Sequence, residues 1–209
     1  MIRALLCLLA LTGAARAEDG RSGVFDYYVL SLSWSPTWCA LEGDGRGAPQ
    51  CGQPFGWVLH GLWPQNEIGW PSDCPTTERD PTRAEAAAMA DVTGTSGLAR
   101  HQWRKHGRCS GLPPADYFAL SRLALGRIER PDLLERLERP VEVPAAVIEE
   151  AFLEANPGLW ADAITVTCRR GRIHEARICL TREMEFRRCG ADVIRDCELE
   201  DALLDPVRR

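Results

Sequence analysis

Residues 98–109, LARHQWRKHGRC, hold unlike reactive side chains more densely than any other part of the 209-residue chain. At about 100° per residue on an α-helix, His101, Lys105, Gln102 and His106 fall in that angular order within an arc of about 140°. One face would therefore carry two imidazoles, an ammonium and an amide, a set able to move protons and to stabilise a developing anion. Trp103 points away from that arc and reads as the anchor into a core. Gly107 can end the helix in a C-terminal cap just after His106, and Cys109 can tie that end down if oxidised. Lys105 is the single lysine beside 24 arginines. Such a residue suits a position where a compact, rotatable ammonium serves and a planar guanidinium does not; the alternative is one lysine left by chance on an arginine-rich surface.

A third histidine, His60, stands where the apolar run FGWVLH gives way to GLWP, a boundary at which scaffolds often present functional groups. Each histidine alone is more often a hydrogen-bonded structural group. The signal is the pair of His60 and the helix-borne His106, because two imidazoles meeting across a groove can act as base and acid near neutral pH. Charge sharpens this. The chain carries a formal net charge of −5, and −7 once Arg3 and Arg16 are removed with the leader described below. It is no indiscriminate polyanion binder. Yet no carboxylate occurs between Asp91 and Asp116, where Arg100, Arg104, Lys105 and Arg108 lie. A local cationic window in an acidic body fits a phosphate-bearing substrate, although short charge runs are commonly just solvated faces.

The elements that must hold these residues can be read in outline. Residues 1–17 have the form of a secretory signal: Arg3, an apolar run from Ala4 to Leu11, and Ala15-Arg16-Ala17 as the cleavage site. The run is too short to span a bilayer. Residues 18–209 then make one domain with a substantial core. Val24 to Ser35 alternates as a strand, and Phe55 to His60 reads as a buried strand broken by Gly61 to Pro64. The Gly- and Pro-rich segment between Cys39 and Cys51 and the polar segment from Gln65 to Thr77 read as loops. Asp80-Pro81 looks like a helix start, leading to about Asp91. Further helices are expected from Pro113-Pro114 to about Ile128, over 131–138 and over 144–155. Strands follow from Ala163 to Cys168, from Arg172 to Leu180 and, weakly, near Glu185-Phe186. The mixed order without βαβ alternation predicts an α+β fold with a central, mostly antiparallel sheet and packed helices.

Eight cysteines remain after the leader: Cys39, Cys51, Cys74, Cys109, Cys168, Cys179, Cys189 and Cys197. An even number in an exported chain implies four disulfides. No Cys-x-x-Cys pair argues for metal, and spacing alone leaves 105 pairings open. A zinc site on His101 and His106 is disfavoured too, because a helical metal pair is usually four residues apart and no third ligand is evident.

HGLWP at 60–64 and HQWRKHGRC at 101–109 resemble the two signature blocks of the ribonuclease T2 family, exported endoribonucleases of low base specificity. The similarity runs from Trp34, Ser35, Pro36 and Cys39 to the C-terminal cysteines. The resemblance implies a disulfide-stapled α+β fold paired Cys39–Cys51, Cys74–Cys109, Cys168–Cys197 and Cys179–Cys189. It also implies a site without metal or cofactor: His106 as base, His60 as acid, Lys105 and Gln102 assisting, and His101 positioning phosphate. Trp63, with Gln65 and Trp70, would bind bases. The implied substrate is single-stranded RNA and not DNA. The mature chain is expected to be a monomer without a membrane anchor, in the periplasm or outside the cell. One departure stands out: Gln102 occupies a position where the family usually has glutamate. A glutamine can hydrogen-bond a phosphoryl oxygen but carries neither proton nor charge, which raises a second reading, a catalytically weak RNA-binding relative.

Overall fold

A computed structural model describes residues 20–209; the leader and its cleavage site lie outside them. In chain order the elements are β1 (Tyr27–Trp34), α1 (Ser35–Trp38), β2 (Trp57–Gln65), α2 (Arg83–Ala87), α3 (Ala90–Thr93), α4 (Ser96–Lys105), α5 (Pro114–Gly126), α6 (Asp132–Glu135), β3 (Val141–Val143), α7 (Ala145–Ala155), β4 (Ile164–Arg169), β5 (Arg172–Leu180) and β6 (Ala202–Leu204). The sheet runs β2-β1-β5-β6-β3, with β4 also paired to β5. Every ladder is antiparallel except the single contact between β5 and β6. This is the expected α+β architecture.

One face of the sheet supplies Leu30, Leu32, Trp34, Leu59, Leu62, Ile164, Ile173, Ala176 and Ile178 to the main core, which Trp103, Tyr117, Ile148 and Phe152 close from the helices. The alternation of β1 explains the division, because Tyr27 and Val29 point to the opposite face, into a small second cluster with Cys179, Cys189 and Val193. No helix among the described residues is long and apolar enough to cross a membrane.

Two register shifts matter for the site. Ser31 pairs with Gly61 but Leu32 pairs with Leu59, so His60 is an extra residue in β2. Likewise Thr167 pairs with Glu175 but Cys168 with Ile173, which makes His174 the extra residue in β5. A bulge sends two successive side chains to one side. Leu59 and Leu62 thereby stay in the core while His60 and Gly61 turn away from it, and Ile173 and Ala176 frame His174 and Glu175 in the same way.

Several expectations need correction. β2 does not stop at His60 but continues through Pro64 to Gln65; β2 ends the strand order, where a residue without an N–H costs no ladder bond. The helix expected at Asp80-Pro81 begins at Arg83, capped by Thr82 in a reciprocal box with Glu85. Asp80 instead accepts from Arg108 at 2.7 Å and from the Trp103 indole at 3.3 Å. The helix expected over 131–138 shrinks to the single turn α6. The Cys39–Cys51 loop is wound into a π turn and two 3₁₀ turns. Near Glu185-Phe186 only an isolated bridge from Phe186 to Leu180 forms. β3 and β6, three residues each, were too short to show alternation. All four disulfides form in the pairing that the resemblance implied.

Candidate active site

Helix α4 packs against β2. Thr95 caps its start by accepting from the Leu98 amide. Its end differs from the expected glycine cap: His106 is itself the C-cap, at φ −121° and ψ −43°, and Gly107 opens a 3₁₀ turn. Glycine is required at 107 by closeness, since a Cβ there would lie 2.6 Å from the Trp103 ring. Trp103 is fully buried, as its place on the helix predicted. The Cys74–Cys109 bridge and a hydrogen bond from the Asp73 amide to the Lys105 carbonyl fasten this end.

His60, Trp63, Gln65, Trp70, His101, Gln102, Lys105 and His106, all the residues expected at the site, line one cleft of about 420 Å³. His174 lines it too, so the chain's four histidines all meet there. Trp63 stands between two of them: its ring stacks on His106 at 5.1 Å and meets His60 edge-on at 5.2 Å. The Arg177 guanidinium lies 5.5 Å from the same ring. Trp63 is thus a wall within the site; it and Trp70 are both partly buried, and Gln65 is buried with Oε1 lacking a partner. Of the expected cationic window of Arg100, Arg104, Lys105 and Arg108, Lys105 alone lines the cleft, while Arg108 is paired with Asp80.

Gln102 is buried, and its Oε1 accepts from Trp63 Nε1 at 2.7 Å. An indole only donates, so this bond fixes the amide orientation and leaves Nε2 as the donor end. Gly61 makes the bond possible, because a Cβ there would sit 2.4 Å from both Gln102 Oε1 and Trp63 Nε1.

Burial of His106, with the Lys105, His60 and His101 cations beside it, pushes its imidazole down to about 3. Burial likewise lowers His101 and His174. Glu175, a residue of β5 only 1% exposed, holds His60: Oε1 lies 2.5 Å from His60 Nδ1, and Oε2 accepts from Arg177 Nε and Nη2 at 2.9 and 2.6 Å. Burial alone would push this carboxyl up, but the His60 hydrogen bond and charge, with Arg177 and His174, hold it at about 2. His174, Glu175 and Arg177 escaped the sequence reading. The signal that could have found them is the pair His174-Glu175 between Ile173 and Ala176, two polar residues where a strict alternation allows one.

The depressed histidine has a consequence for stability. The unfolded chain takes a proton at His106 near its ordinary 6.5, while the folded chain refuses it down to about 3. Stability therefore falls with pH across that window, by up to about 1.4 kcal/mol per unit. Glu175 acts in a lower range: its contribution is complete above 4.5 and is lost towards 2. The urea midpoint should drop between pH 7 and 5, and inorganic phosphate, by offsetting the Lys105 charge, should reduce the drop. A midpoint independent of pH over that range would mean that folded His106 accepts its proton readily.

The fold and cleft define an α+β protein with a multi-histidine, lysine-bearing site. The chain belongs to the ribonuclease T2 family, whose profile matches residues 25–189. A ribonuclease of Aeromonas hydrophila is 44% identical over 108 residues, covering 52% of this chain and 48% of that protein. A probable ribonuclease of Haemophilus influenzae is 31% identical over 121 residues, covering 51% and 44%. The chain thus matches about half the length of these curated relatives. Among solved structures, an RNase-related protein from Calystegia sepium superposes with a TM-score of 0.63 at 18% identity, covering 87% of this chain and 98% of that one. The self-incompatibility associated SF11-RNase of Nicotiana alata does so with 0.63 at 20%, covering 87% and 100%. At such identities these two establish the fold.

Proposed function

We propose that this protein is an exported endoribonuclease that cleaves single-stranded RNA, with low base specificity, by transesterification through the 2′-hydroxyl. The observation that carries this reading is the contrast between two histidines flanking Trp63: His106 is buried and kept neutral, while His60 is bonded to a carboxylate. His106 removes the 2′-hydroxyl proton, and the 2′-oxygen attacks phosphorus. The bond from phosphorus to the 5′-oxygen breaks as His60 gives that oxygen a proton. The products are a 2′,3′-cyclic phosphate, open to later hydrolysis, and a 5′-hydroxyl. Lys105 and the Gln102 amide donor stabilise the charge on the phosphorane, and His101 helps to position the phosphate. The base-binding end is formed by Trp63, Gln65 and Trp70.

Gln102 in place of glutamate removes neither of the two proton carriers, which favours an active enzyme over a mere RNA-binding relative. The leader read in residues 1–17 and the four disulfides support the periplasm or the cell exterior, since such bridges persist in oxidising compartments. With the nucleophile supplied by the substrate and both protons handled by histidines, turnover should withstand EDTA. The test is incubation with single-stranded RNA and the matching DNA in EDTA. RNA alone should be cut; cleavage of both, or loss of activity to chelation, would refute the reading.

A further inference from the structure

We propose that Glu175 is a positioning residue for His60, holding it across the sheet as a proton donor, and that Arg177 in turn holds Glu175. The proposal rests on the ribonuclease reading above and adds to it a carboxylate from a different strand, outside both sequence blocks.

The geometry is specific. Glu175 lies two strands from His60, with β1 between them. Both strands bulge there, turning His60 and the His174-Glu175 pair to the same side. The β1 residues facing that side are Ser31 and Ser33, opposite Arg177 and Glu175. Their small side chains leave room for the carboxylate to pass over β1. A buried carboxylate is costly unless fully partnered, and this one has both oxygens engaged: Oε1 by His60, Oε2 by the Arg177 fork.

One consequence follows for His60. The Nδ1 proton points at Glu175, so Nε2 is the nitrogen left for the cleft. The other titratable groups lining the cleft with the imidazole are Arg177 and His174 from β5, His101 and Lys105 from α4, His106 at its C-cap, and Asp192, while Glu42, Arg46 and Arg169 line the adjoining pocket that His60 also borders. Glu175 bonds His60 directly, and Arg177 keeps Glu175 ionised and in place. The carboxylate absent at position 102 is thus not absent from the site; it acts on the acid histidine from the opposite side.

The test uses two substrates. A defined oligoribonucleotide has a poor leaving group that needs protonation, whereas a uridine 3′-(4-nitrophenyl phosphate) has a leaving group that departs without it. In Glu175→Gln, kcat on the oligonucleotide should fall on the order of 100-fold with KM within about twofold. Activity on the nitrophenyl ester should stay within about threefold of the unaltered protein, since no general acid is needed there. The basic limb of the pH profile should move to lower pH. Should the single change unfold the protein by stranding Arg177, the double variant Glu175→Gln with Arg177→Gln removes both charges and serves the same comparison. Equal losses on the two substrates would mean general damage and overturn the proposal, as would an unchanged kcat on the oligonucleotide. An arm independent of turnover keeps this apart from the ribonuclease reading. In the unaltered protein, nuclear magnetic resonance should show a far-downfield Nδ1 proton on His60 that is lost in Glu175→Gln. If the protein cleaves neither substrate, the ribonuclease reading fails while that proton still decides whether Glu175 holds His60.

Discussion

Changing His106 to alanine is expected to lower turnover by about 10³-fold or more, and His60→Ala by a similar factor, because general base and general acid each contribute roughly 10² to 10⁴. Neither change should unfold the chain. His106 is buried, yet its Nδ1 has no hydrogen-bond partner to lose, and although His60→Ala takes the partner of Glu175 Oε1, Oε2 keeps both of its Arg177 bonds. The double variant should be little worse than either single one, since residues that act as a unit are far from additive. By contrast His101→Ala should retain a measurable fraction of activity, because its imidazole is exposed at the rim and only helps to position phosphate. Single-turnover rates on a defined oligoribonucleotide, with thermal unfolding to check the fold, measure all four. Near-normal rates in His106→Ala would remove the base from the mechanism.

Lys105 is expected to show the second large effect. Lys105→Ala should cost on the order of 10² to 10³ in kcat, the usual loss when a group stabilising transition-state charge is deleted. Lys105→Arg keeps the charge but replaces a rotatable ammonium by a rigid fork. Arginine is plentiful in this chain, so the surface tolerates it; what it should not restore is kcat. Substrate binding should recover more than turnover does. Should Lys105→Arg show unaltered kinetics, the single lysine is an accident of composition and its transition-state role is withdrawn.

The helix that carries Lys105 was legible because its chemistry and its periodicity coincide. His101, Gln102, Lys105 and His106 share an arc, Trp103 opposes it, and the helix of the fold respects both. His60 was legible only as a residue near a strand boundary. Its real device is a bulge inside a continuous strand, and a bulge is set by pairing with β1, which local sequence does not display. The same is true of His174 and Glu175. A buried, doubly bonded glutamate looks in sequence like any strand glutamate, and only the register across three strands shows that it meets His60. Asp80 shows the opposite error. Asp-Pro is a sound helix-start signal, but the carboxylate is drawn off by Arg108 and Trp103 and a capping box two residues on takes its place. Gln102 looked like a deficit in sequence. In the fold it has one defined orientation, tied to Trp63 and presenting a donor, so Gln102→Glu should change the rate modestly.

The central claim is that the substrate's own 2′-hydroxyl attacks the phosphodiester. A DNA oligonucleotide carrying a single ribose isolates it. The account predicts one cut, directly 3′ of the ribose, leaving a 2′,3′-cyclic phosphate on one fragment and a 5′-hydroxyl on the other, both identified by mass spectrometry. Cuts at deoxyribose positions, or fragments bearing a 5′-phosphate, would show that water attacks instead and would contradict the account.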